Sequence, residues 1–222
     1  MMSHVTTRAC IFDMDGVLID SGAHHRDAWR ALLEELGAAP AEPEYWRLTI
    51  GRPAEEAVPL LLGAPVTAAR ARRLARRKRE LYTDFARRGT RTVAGIPAFV
   101  AALTRCAVPR AVGTSASRYD VETLLASLGL RRHFDVIVTA DDVLLGKPDP
   151  AVYLEAARRL GAPPASCLVF EDSLVGVVAA RRAGMRAIGV TTAHTAAELE
   201  GAGAESTIPD FEGLEWSSLA RR

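Results

Sequence analysis

Ile11-Phe12-Asp13-Met14-Asp15-Gly16-Val17 carries the organising signal of this 222-residue chain. An apolar run with the character of a buried strand ends in two carboxylates spaced i, i+2, and a glycine follows at once. If strand geometry continues through them, both acids point to one side. They stand at the carboxyl end of the strand, where open α/β sheets place their ligands. Two acids this close repel unless a positive group lies between them, so the pair asks for a divalent cation or a shared proton.

Beyond this strand, at residues 9–12, further β-rich runs recur at 110–114, 135–139, 167–170 and 186–190. Helical patterns separate the later ones, at 119–128, 151–160 and 174–183. Strands alternating with helices of that length predict an α/β fold, a Rossmann-like doubly wound parallel sheet. The interval between the first two strands is too long for one crossover helix. It holds amphipathic stretches at 25–36, 53–62 and 68–87, broken around 37–43 and 63–65, before a last core helix at 96–106. The expected organisation is an α/β core formed by residues 1–21 and 91–222, with a small helical domain, residues 22–90, inserted after the first strand.

Composition narrows the partners. About half the chain (49%) is apolar and 25% is charged, an ordinary globular balance, and the net charge of +1 gives no global attraction to nucleic acid or membrane. The arginine-rich run at 70–79 reads as the solvated face of a helix rather than a nucleic-acid patch. Cys10, Cys106 and Cys167 are scattered and odd in number, which points to reduced thiols rather than disulfides or zinc ligands. No signal-peptide pattern opens the chain, and no apolar run approaches the ~20 residues of a membrane span. A cytoplasmic monomer or weak homodimer is the expectation. Of 28 basic residues only Lys78 and Lys147 are lysines, which singles out both positions as places for a compact ammonium.

Three more constellations fall at expected strand ends. Gly113-Thr114-Ser115-Ala116-Ser117 offers hydroxyls and amides at a helix entrance, a natural anion site. Gly146-Lys147-Pro148-Asp149-Pro150 holds one of the two lysines, and Val169-Phe170-Glu171-Asp172-Ser173 ends a strand with a second acidic pair. If the first and fourth strands are neighbours, four carboxylates converge, which calls for a cation. Taken alone, Ser115 could be a helix cap, Lys147 a turn residue, and Glu171 and Asp172 acids matching a helix dipole. Other motifs fail. Val17 stands where an EF-hand loop needs its third acid, and Gly146-Lys147 lacks the Walker glycine.

The order DxDG, Ser-Ala-Ser, GKPDP and EDS resembles the haloacid dehalogenase-like hydrolase superfamily, in its β-phosphoglucomutase and phosphoglycolate phosphatase branch with a helical cap. The likeness runs from about Arg8 to Ile208. It implies Asp13 as a nucleophile forming an aspartyl-phosphate and Asp15 as general acid and base. Mg²⁺ would be held by Asp13, the Asp15 carbonyl and Asp172, with Glu171 as a further ligand or water-holder. Ser115 and the Ala116 amide, with Ser117 beside them, would grip the phosphoryl oxygens, and Lys147 would neutralise charge in the transition state. An acid two residues after the nucleophile suits a phosphate ester, whose leaving alcohol needs a proton.

The resemblance also points to the insert. His25 stands where the mutases carry a histidine coupled to the acid/base aspartate, Trp29 reads as core packing, and Lys78 stands where they carry a cap lysine facing substrate. The mutases' two cations for a distal phosphate are here Ile50 and Ala54, while Arg52 could grip substrate from a shifted position. The expectation is therefore a Mg²⁺-dependent phosphatase acting on a small phosphorylated metabolite, a sugar phosphate. A sugar phosphomutase and a non-catalytic ligand-binding relative are the alternatives.

Overall fold

The computed structural model describes residues 7–39, 45–86 and 89–220. Six strands form one parallel sheet: β1 (Ala9–Phe12), β2 (Arg110–Gly113), β3 (Val136–Val138), β4 (Cys167–Glu171), β5 (Arg186–Val190) and β6 (Ser206–Ile208). Their spatial order is β3-β2-β1-β4-β5-β6, so the direction of winding reverses between β1 and β4. Ile11 pairs with Ala111 on one side and Val169 on the other, which places β1 in the middle. The ends of β1 and β4 thus meet at the switch point, the place where such sheets bind ligands.

Both faces of the sheet are covered, which is why β1 is buried at every residue. The strand period of two sorts its side chains. Cys10 and Phe12 join one core with Phe99, Phe170 and Phe211, while Ala9 and Ile11 join the other with Tyr153 and Val169. Phe12 stacks on Phe170 with ring centroids 4.9 Å apart, tying β1 to β4 directly below the site. The first core is closed by α4 (Ile96–Arg105) and α5 (Arg118–Ser127), the second by α6 (Ala151–Leu160) and α7 (Leu174–Arg182). A short helix, α8 (Ala196–Gly201), stands between β5 and β6, and α9 (Trp216–Leu219) follows β6.

Between β1 and β2 the chain runs through α1 (Gly22–Glu35), α2 (Ala54–Leu62) and α3 (Ala68–Ala86) before reaching α4. These helices have their own apolar cluster of Trp29, Leu32, Ala57, Val58, Leu61 and Leu74. Trp29 is core packing, as read from the sequence, and the Lys78 ammonium lies over its ring, 5.2 Å from the centroid. The arginines of the 70–79 run are exposed, and Arg77 pairs with Glu35 and Glu80. Cys10 and Cys167 are buried free thiols, whereas Cys106 is an exposed one at the end of α4.

Observed boundaries differ from the expected ones by up to three residues. Residue 87 of the expected third insert helix and residues 40–43 of the expected break lie outside the described residues. β6 was absent from the sequence reading. It is three residues long, half-buried throughout and at the sheet edge, so it has neither a continuous apolar run nor alternation. No helix among the described residues is long and apolar enough to cross a membrane.

Candidate active site

β1 ends at Phe12, one residue before the first acid, and the strand period therefore does not extend to Asp15. The two aspartates turn apart. Asp13 joins Glu171 and Asp172 from the end of β4, with one oxygen of each lying within 4.8 Å of the others. Asp15 stands outside that cluster, so three carboxylates converge rather than the four that the strand pattern suggested. Gly16 makes the turn at φ +72°, and a Cβ there would collide with the Asp172 carboxylate. Only glycine fits at this crossing.

Lys147 reaches into the cluster from the loop before α6. Its ammonium is 1% exposed and donates to Asp13 Oδ1 at 2.9 Å and to Glu171 Oε1 at 2.6 Å. Glu171 has both oxygens engaged. Oε1 also accepts from the Tyr153 hydroxyl at 2.6 Å, and Oε2 accepts from the Ser173 amide and hydroxyl at 2.9 and 2.8 Å. Burial would raise the Glu171 carboxyl, but Lys147, Tyr153 and Ser173 outweigh it and hold it below its ordinary value. Burial works against the Lys147 ammonium too, and Asp13 and Glu171 more than restore it.

Asp13 and Asp172 are less well served. Burial pushes the Asp13 carboxyl up to about 7; Lys147 opposes the shift, while Glu171 and Asp15 add to it. Asp172 is raised well above the carboxylate range by burial, then by Glu171, Asp13 and Asp15. Three buried carboxylates face one ammonium, a deficit of two positive charges. A divalent cation fits that deficit, and hard oxygen donors suit Mg²⁺. Asp172 is steadied from behind: His194 Nδ1 bonds its backbone oxygen at 2.9 Å, and Thr192 Oγ1 lies 3.4 Å from its Oδ2.

Asp15 faces the helical lobe instead. His25 Nε2 lies 3.1 Å from Asp15 Oδ1, within ion-pair reach though off the line of a hydrogen bond, and the Tyr82 hydroxyl donates to the same oxygen at 3.3 Å. Lys78 Nζ meets His25 Nδ1 at 2.5 Å, and the His25 ring stacks on Tyr82 with centroids 4.3 Å apart. An ammonium can only donate, so Nδ1 accepts and the imidazole proton sits on Nε2, toward Asp15. Burial, then the Lys78 charge, lower the His25 pKa and keep the ring neutral. Burial also lowers Lys78 to about 8. Asp15, which burial alone would raise, is held below its ordinary value by His25, Ser21 and Lys78.

The third expected element lies after β2. Ser115 Oγ donates to the Gly51 carbonyl of the helical lobe at 3.2 Å, and the Ala116 amide bonds Thr114 Oγ1 at 3.2 Å. Ser117 is the N-cap of α5, accepting from the Asp120 amide and donating to the Asp120 carboxylate at 2.5 Å. One cavity of about 430 Å³ collects Asp13, Asp15, Asp172, Ser115, Ala116, Ser117, His25, Arg52 and Lys78. That volume suits a small ligand. Lys147 and Glu171 lie beneath its floor rather than on its wall.

Sequence reasoning passed over Tyr82, Tyr153, Thr192 and His194. Tyr82 follows Lys78 by four residues on α3, so helical spacing could have found it. Tyr153 and His194 had no local signal, because their partners are Glu171 at the end of β4 and Asp172 just beyond it.

The model of one family, "haloacid dehalogenase-like hydrolase", matches residues 7–184. The chain is 35% identical to the validoxylamine A 7'-phosphate phosphatase of Streptomyces hygroscopicus subsp. limoneus, over 96% of this chain and 98% of that one. It is 36% identical to the fructose-1-phosphate phosphatase YqaB of Escherichia coli (strain K12), over 81% and 94% of the two chains. Among solved structures, a hydrolase from Pseudomonas syringae superposes with a TM-score of 0.85 at 29% identity, covering 92% of this chain and 94% of that one. The buried Asp13–Lys147–Asp172 arrangement at the sheet's switch point and these likenesses agree, and the chain belongs to the haloacid dehalogenase-like hydrolase family.

Proposed function

We propose that this chain, a phosphoric monoester hydrolase by family and relatives, removes phosphate from a small phosphorylated sugar with the help of Mg²⁺ and an aspartyl-phosphate on Asp13. The carrying observation is the division of labour between the two opening aspartates. Asp13 is buried beside Lys147 and Asp172, while Asp15 stands apart at the cavity wall against His25 and Tyr82.

Asp13 attacks phosphorus, forming the acyl-phosphate as the ester P–O bond breaks. Asp15 gives the leaving oxygen its proton, then takes one from the water that cleaves the intermediate. The contacts from His25, Tyr82 and Lys78 favour the anionic base and oppose the acid, so the first step requires them to loosen. Lys147 stabilises charge on the Asp13 side of the reacting group. Asp13, Asp172 and the Asp15 carbonyl would hold Mg²⁺, which supplies Lewis-acid stabilisation of the phosphoryl oxygens, while Glu171 anchors Lys147.

In this reading, residues 22–90 act as a cap over a core of 1–21 and 91–222. His25, Arg52 and Lys78 of the cap, with Ser115, Ala116 and Ser117 of the core, line the space for substrate. Asp13→Asn tests the mechanism: phosphate release from p-nitrophenyl phosphate is lost while the circular dichroism spectrum is kept. Turnover at the parental rate in that variant would overturn it.

A further inference from the structure

A second groove of about 500 Å³ adjoins the catalytic cavity and shares Trp46, Thr192 and Ala193 with it. Its remaining wall is Arg47, Thr191, His194, Thr195 and Ala196. His194 is only 7% exposed. Its Nδ1 lies 2.9 Å from the Asp172 carbonyl oxygen, and a carbonyl only accepts, so Nδ1 carries the proton. Nε2 is the ring's other polar atom, and His194 borders the groove.

Trp46 supplies an indole face and a donor N–H. Arg47, the one cation on the wall, is neutralised by a two-bond pair with Glu198 at 2.6 and 2.7 Å. No carboxylate lines the groove. The threonines give their hydroxyl protons to the Ile208 and Gly16 carbonyls and to the Glu198 carboxylate, so their oxygens face the groove as acceptors, and with the aromatic wall they suit hydroxyl groups rather than a second phosphate.

We propose that this groove binds the distal, uncharged ring of a substrate larger than one sugar, a phosphorylated disaccharide whose phosphate reaches Asp13 while its far ring passes Trp46. The proposal rests on the phosphatase reading and specifies its substrate class. Ala196 is exposed at the start of α8 on the groove wall, so Ala196→Trp fills the groove without disturbing the core.

The probes are trehalose 6-phosphate and glucose 6-phosphate. In the parent, kcat/KM for the disaccharide ester exceeds that for the monosaccharide ester by about tenfold, the scale of a few specific contacts, and Ala196→Trp brings the ratio to about one. A parental ratio at or below one, or a ratio untouched by Ala196→Trp, would overturn the proposal. Calorimetric binding to Asp13→Asn, with and without Ala196→Trp, reads the same preference without turnover. There, a tighter disaccharide ester whose advantage Ala196→Trp removes supports the groove, and equal affinities refute it. Absence of phosphate release from both esters and from p-nitrophenyl phosphate would sink the phosphatase reading, and the calorimetric comparison would still decide the groove.

Discussion

Lys147 lies closer to Glu171 than to Asp13, with Nζ–O distances of 2.6 and 2.9 Å. Its position beside the nucleophile is therefore set by a carboxylate that the reaction itself leaves alone. Glu171→Gln removes that anchor's charge and frees the ammonium to collapse onto Asp13. The expected result is a fall in kcat of about 10²–10³, the scale of a lost electrostatic stabiliser, with a smaller change in KM. Steady-state kinetics on p-nitrophenyl phosphate checks it, and an unchanged kcat would mean that Glu171 does not position Lys147.

Gly176 in α7 packs directly against the Glu171 carboxylate, and an added Cβ would overlap both of its oxygens. Gly176→Ala should therefore displace Glu171 and impair catalysis from a residue that never meets substrate. A thermal melt separates this from bulk unfolding. The expectation is a folded protein with kcat reduced at least about tenfold, since small misplacements of catalytic groups are costly.

Lys78 supplies a pH dependence. Burial lowers it from the ordinary lysine value of 10.5 to about 8. Between those values the unfolded chain holds a proton that the folded chain has lost, so this group makes stability rise with pH across that window. Its charge beside His25 and Asp15 fades around pH 8. Activity should show a basic limb near pH 8, and Lys78→Arg should move that limb to higher pH because guanidinium stays charged. A pH profile of kcat/KM that is identical in parent and variant would refute this.

The crowding of Asp13, Glu171 and Asp172 predicts a metal effect on stability. At 100 times its Kd, Mg²⁺ should add about 2.7 kcal/mol, which for a chain of this size raises Tm by about 5–10 °C. EDTA should remove both the shift and phosphate release. Asp172→Asn, which lowers the negative charge of the cluster, should melt with little response to Mg²⁺. A parental Tm indifferent to the ion would argue against the site.

The core was largely legible in the chain because its signals are local. β1 is a short apolar run followed by acids, and the serine motif and the second acidic pair adjoin the ends of β2 and β4. Lys147 was visible as one of two lysines among many arginines. What stayed hidden depends on contacts between distant segments. The divergence of Asp13 from Asp15 follows from the strand stopping at Phe12, a boundary that no residue type marks. Ser117 reads like a phosphate ligand in sequence, yet its hydroxyl is committed to capping α5 through Asp120. Arg47 and Glu198 lie 151 positions apart, and Tyr153 owes its role to a β4 carboxylate that only the sheet order brings near.

The Ser115 hydroxyl has one proton and two claimants. It is now given to the Gly51 carbonyl, across the seam between the sheet and the helical lobe. In the proposed mechanism an entering phosphoryl group needs that same proton. The Gly51 carbonyl is thus a competitor of substrate for this donor: a bound phosphoryl group would take from the lobe one of its bonds to the core, and released phosphate would leave a donor ready to re-form it. Substrate arrival and the lobe's hold on the sheet are thus linked through this bond, while the contacts of Tyr82 with Asp15 and of Arg47 with Glu198 still join lobe and core.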